Sequence, residues 1–174
     1  ARQIPEANAA LEKYWKKLEE RTAWLLKTVR PRAQVTAEAR AAGCEGHFGS
    51  LMELCHIKNS QLGKEFWIYK GRIVFRGDIV KDESGHFAVF SEQGSSSSHI
   101  AAAKLCDFIS RLPDCDGENV DAISAYTQVM FPPDTPKTWI ALPKHRQPKS
   151  WQGIEDPVCI LQRNLYGHPE AGLY

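Results

Sequence analysis

Between residues 11 and 29 the side chains Leu11, Trp15, Leu18, Thr22, Leu25 and Val29 recur at alternating spacings of four and three. That is a heptad seam, and it puts the series on one side of an α-helix. Lys13, Lys16, Lys17, Glu19, Glu20 and Arg21 occupy the other faces, so a helix here carries a single stripe that must be buried. Pro5 and Glu6 suit a first helical turn, the proline because its missing N–H is not needed there and the acid because it faces the positive end of the helix dipole. Pro31 sets the far end, since a residue before proline avoids helical backbone angles. The spacing therefore predicts one long amphipathic helix ending at Pro31. Its stripe packs on the chain's own core or docks on another protein, with Leu11, Trp15, Leu18, Leu25 and Val29 as the interaction residues. The polar face mixes signs, which argues against a helix lying on a membrane.

Val35 to Ala42 is helix-prone and is broken by Gly43, Gly46 and Gly49, and Leu51 to Cys55 resumes an apolar segment, strand or short helix. Residues 1–60 read as a helical lead-in. From Phe66 to Tyr69 and from Arg72 to Phe75, β-branched and aromatic residues form strand material split by Gly71. Asp78 to Gly85 reads as a strand end and turn. Gly94 to Ser98 is a loop or helix start, His99 to Leu112 has helical apolar spacing, and Pro113 to Asn119 turns into a strand carrying Asp121. Trp139 to Pro143 reads as a further strand. The expected class is α+β, with residues 61–174 following the lead-in.

A chain of 174 residues is enough for one core, and 43% hydrophobic with 25% charged residues is a globular composition. A net charge of +1 gives no broad field for nucleic acid, so basic contacts must be local. One such place is the proline-rich loop where Lys137, Lys144, Arg146 and Lys149 interleave with Trp139 and Trp151, a solvated loop or a nucleic-acid track. Five cysteines form no regular framework and fit a reducing, intracellular compartment. Cys44, His47, Cys55 and His56 lack the spacing of a zinc finger, and adjacent Cys55 and His56 could hardly share one ion. No apolar run approaches the roughly 20 residues that span a bilayer. The start at Ala1 points to a processed N-terminus or an excerpt of a longer protein.

Asp121 stands among Val120, Ala122 and Ile123, a setting in which a carboxylate entering a core needs a cation, hydrogen bonds or a metal. An exposed aspartate beside Asp116 and Glu118 is the plain alternative. Three stretches, Tyr69 to Asp78, Val120 to Gln128 and Pro157 to Gly172, stand in an order that resembles the copia-type retrotransposon reverse transcriptase. The resemblance is to a "KARLV-x-R/K-G" strand of the fingers, a "D-x-x-x-A-Y/F" palm strand and a "V-x-x-L-x-x-x-L-Y-G" segment, and it covers Gly63 to Tyr174. "AYTQ", the run Ser95 to Ser98 and "LYGHPEAG" are most similar to copia-like polyproteins of dinoflagellate genomes.

The resemblance implies a partial fingers and palm of a right-hand polymerase. It makes Asp121 the first of three metal-binding aspartates, which would hold Mg²⁺ in a two-ion phosphoryl transfer. It makes Tyr126 the aromatic under the nucleotide sugar, sets Lys70, Arg72 and Arg76 over the triphosphate, and brings Gly167 close to the nucleotide. The family's other two aspartates lie in a Tyr/Phe-x-Asp-Asp hairpin beyond "LYG", and the sequence ends at Tyr174 before it. The expectation is a noncatalytic fragment or subunit acting as a structural, interacting component of a larger assembly, with other protein subunits as partners. The alternatives are a portion of a longer active RNA-directed DNA polymerase, which alone would need Mg²⁺, and a single-strand nucleic-acid-binding module.

Overall fold

The first helix begins where Pro5 and Glu6 predict but stops far short of Pro31. In the computed structural model, which describes residues 4–90 and 99–173, α1 spans Pro5–Glu20 and β1 spans Trp24–Pro31. The stop is a Schellman cap: Thr22 N–H donates to Glu19 O and Ala23 N–H to Leu18 O, with Thr22 at φ 50°. Glycine normally marks that position, so a β-branched threonine there leaves no readable sign of the helix end. Leu11, Trp15 and Leu18 turn inward into the main core, whereas Leu25 and Val29 lie on β1, not on the helix.

The remaining elements are α2 (Arg32–Ala42), β2 (Gly46–Lys58), β3 (Ile68–Phe75), α3 (Ile100–Ile109), β4 (Lys137–Ala141) and β5 (Pro157–Leu161). The fold is thus α+β, with three α-helices and a five-stranded sheet in the order β1-β5-β4-β2-β3. β2 pairs parallel with β4 through its first half and antiparallel with β3 through its second, while β5 runs antiparallel to both β4 and β1. Residues 1–60 are therefore not a helical lead-in, because β1 and β2 lie there and share the sheet with the later strands. Gly71 does not split β3: it pairs with Cys55 inside an unbroken ladder. The expected strand at Asp121 does not form, whereas helices at α2 and α3 and a strand at β4 do. Gly94 to Ser98 and Tyr174 lie outside the described residues.

Period-two alternation divides the two faces of the sheet. Leu51, Ile73, Ile140, Cys159 and Leu161 face α1 and join Leu11, Trp15 and Leu18 in the main core. Phe48, Trp139 and Val158 face the other way, onto Val35 of α2. Trp151 is also buried in the main core, and Arg146 lies 4.9 Å from the centre of the Trp15 ring. The Arg146 guanidinium pairs with Glu12 at 2.5 Å and with Glu53 at 2.7 Å. Burial opposes the Glu53 charge, but hydrogen bonds from Arg146 and His145 outweigh it and hold that carboxyl below its usual range. In the stretch read as a solvated loop or a nucleic-acid track, both tryptophans and Arg146 are thus engaged in packing while Lys137, Lys144 and Lys149 are exposed.

α1 crosses β3 in close backbone contact at Gly71. A Cβ on Gly71 would sit 2.6 Å from the backbone oxygen of Ala10, so only glycine lets the helix lie on the strand. Gly71→Ala is expected to destabilise the protein by roughly 1–3 kcal/mol, the cost of overpacking, read as a lowered thermal midpoint. Thr22→Gly is expected to act oppositely in the same assay, adding up to about 1 kcal/mol because the left-handed cap loses its Cβ strain.

Candidate functional site

The three stretches that carry the resemblance converge on one residue, Tyr166. Its carbonyl accepts from Phe75 N–H of β3 at 2.8 Å, and the Tyr126 ring meets its ring edge-on with centroids 4.8 Å apart. Arg72 lies 5.9 Å from the centre of the same ring. Arg163, just beyond β5, ties the stretch after Asp121 down by donating to Gln128 O at 2.9 Å and to Arg21 O at 2.7 Å.

Beside Tyr166 runs a groove of about 460 Å³ between α1 and β3. Helix α1 contributes Lys13, Tyr14 and Lys17, and β3 contributes Tyr69, Lys70 and Arg72 from the strand that crosses under it at Gly71. Ala10, Ile68, Ser124 and Tyr166 also line it, and no carboxylate is among its described lining residues. Lys13, Tyr14 and Lys17 are set at helical spacings of one and four on a face flanking the buried stripe, which is why they come out together. Lys17 Nζ donates to Ser124 Oγ at 2.7 Å, and Arg21 donates to Thr127 Oγ1 at 2.7 Å, fastening the loop to α1. Burial and the neighbouring Tyr166 push the Tyr14 phenol up, against the pull of Arg72 and Arg21, so it remains a hydroxyl donor at neutral pH.

The expected phosphate-binding set is divided by the fold. Lys70 and Arg72 enter the groove, with Tyr126 adjacent through Tyr166. Arg76 pairs instead with Asp78 at 3.0 Å, and that hydrogen bond holds the Asp78 carboxyl below its usual range. Gly167, at φ 86°, presses its backbone against Phe75 O beside a separate cavity of about 680 Å³ lined by Phe75, Gly77, Asp78, Phe90 and His168. Asp121 is exposed on the loop, as its neighbours Val120 and Ile123 are at 81% and 74%, so it is the plain exposed aspartate and not a carboxylate entering a core. Among the described residues no three His, Cys, Asp or Glu side chains gather as a metal-holding group. These residues do not by themselves fit the ion cage that the resemblance implies.

Tyr166, Lys13, Tyr14 and Lys17 are site residues that the sequence reading did not single out. The tyrosine sits in the "LYG" motif itself, but its role depends on contacts with residues 40 and 94 positions away, Tyr126 and Arg72, which no local pattern records. No protein-family model, curated protein or solved structure matches this chain.

Next to Gly167, His168 is buried among Phe75, Phe90 and Phe131. Its Nδ1 accepts from Glu170 N–H at 3.2 Å and its Nε2 meets Thr138 Oγ1 at 3.3 Å, so the neutral ring has both nitrogens engaged. Burial first, then the nearby His47, push its pKa down to about 4. The native value lies below the unfolded one, so the unfolded chain binds the proton first. The stabilisation from neutral His168 is complete above about pH 6.5 and is lost as pH falls toward 4, by about 3 kcal/mol in all. The thermal midpoint is expected to drop across that window, and His168→Asn is expected to flatten the drop whatever its own starting stability.

Proposed function

We propose that this chain is a fingers-and-palm portion of a reverse-transcriptase-like protein. In this reading it grips a phosphate-bearing ligand, a nucleotide or a single strand, and serves as a noncatalytic component of a larger assembly. The observation that carries the reading is the groove at Tyr166. It joins Lys70 and Arg72 of the fingers-like strand to the Ser124–Gln128 stretch, and it offers cations and tyrosines without a facing carboxylate. Guanidinium and ammonium groups suit phosphate oxygens, and phenol rings give a base or sugar a surface to lie on. The small net charge is compatible with this, because the described lining of the groove has cations and no carboxylate.

The assembly part of the reading draws on α3. Ile100, Leu105, Phe108 and Ile109 are exposed, and the helix buries none of its side chains against the described residues. Apolar surface of that kind is commonly an interaction face.

The test is calorimetric titration of the folded chain with a nucleoside triphosphate and with a single-stranded oligonucleotide. Binding that weakens as salt rises is expected, and Lys70→Ala with Arg72→Ala should weaken it at least tenfold. Asp121→Ala is expected to leave it within about twofold of the original, because that carboxylate is outside the groove lining. No binding by the unaltered chain, or binding indifferent to the loss of both cations, would overturn the reading.

A further inference from the structure

We infer that α1 is the second jaw of a two-sided phosphate clamp. In this arrangement Lys13 and Lys17 bind the same ligand that Lys70 and Arg72 hold from β3, and Lys17 lets go of Ser124 to do so. The inference rests on the reading of the groove as a phosphate site and adds which residues hold the ligand and how many phosphates it carries.

Two facts about the groove point this way. Lys13 and Lys17 line it from the helix, and Lys70 and Arg72 from the strand, with no carboxylate among the described lining residues to neutralise them. Four cations around one cleft repel each other, and one terminal phosphate, with a charge of about −1.5 to −2, offsets only half of that. A ligand with two or more phosphates in the groove offsets the rest and reaches both walls. The second fact is the state of Lys17. Its ammonium donates to a neutral hydroxyl, Ser124 Oγ, at 2.7 Å, and Ser124 is held at φ 58°, a left-handed conformation that serine disfavours. Phosphate oxygen is the stronger acceptor for an ammonium. Exchanging the hydroxyl for phosphate therefore improves the bond to Lys17 and frees the Ser124 side chain. The bond between Lys17 and the loop carrying Asp121 and Tyr126 is then broken by the ligand, which couples occupancy of the groove to the position of that loop.

Calorimetry with a nucleoside triphosphate, the matching monophosphate and a short single-stranded oligonucleotide separates the possibilities. Lys13→Ala with Lys17→Ala is expected to weaken the triphosphate by tenfold or more and the monophosphate by less than threefold, with circular dichroism unchanged. If the oligonucleotide is the better ligand, the same pair should also reduce the slope of log affinity against log salt by one to two contacts. Ser124→Gly is expected to tighten the triphosphate a fewfold, since it removes the competing hydroxyl and the strained side chain together. The inference is sunk if the Lys13 and Lys17 pair leaves triphosphate affinity within twofold while Lys70→Ala with Arg72→Ala destroys it, a result that spares the proposed function. Failure of the unaltered chain to bind any of the three probes would sink both.

Discussion

A helix backbone resting directly on a strand backbone at Gly71 is the contact on which the rest of this molecule turns. It brings α1 close enough for Leu11, Trp15 and Leu18 to close the main core over Leu51, Ile73 and Ile140. The same approach leaves a groove along the side of the crossing, bounded by the flanking side chains of α1 and β3. Core and groove are thus two results of one close approach. Any side chain at position 71 would lift the helix, loosening the packing and widening the cleft together.

The groove also depends on how the acids are distributed. Glu53 and Glu12 are held by Arg146, Glu38 by Arg30, Asp78 by Arg76 and Asp156 by Arg32. Most of these pairs are at the surface and add little stability one by one. None of these pairs involves Lys13, Lys17, Lys70 or Arg72, the cations that line the groove. A protein with a net charge of +1 can in this way present a locally cationic cleft. Tyr166 then links that cleft to the loop after Asp121 through its ring contact with Tyr126.

Much of the local structure was legible. The Pro5 start of α1, the helix ending at Gly43, the strand character of Ile68 to Phe75 and the helical spacing in α3 all rest on turn chemistry or side-chain periodicity within a few residues. The failures share a physical origin. The heptad seam ran past Thr22 because Leu25 and Val29 fit either a helix face or a strand. What selects the strand is pairing with β5, whose residues are more than a hundred positions away. Asp121 was read toward a core because its neighbours are apolar, yet Val120 and Ile123 are exposed. Arg146, Trp139 and Trp151 were read as parts of a solvated loop or a nucleic-acid track, whereas Glu12 and Glu53 from distant segments draw the arginine inward.

The order of residues alone carried the mixed α and β character, the glycine and proline punctuation and the buried half of the stripe. Those follow from forces acting between near neighbours: propensity, capping and the burial of a periodic apolar face. Folding in three dimensions settled where α1 ends, which strand lies beside which, why Arg76 and Gly167 part company with Lys70 and Arg72, and that Lys13, Tyr14, Lys17 and Tyr166 share one cleft. Each of these is fixed by contacts between segments remote in the chain, whose energies depend on distances that a linear sequence does not contain.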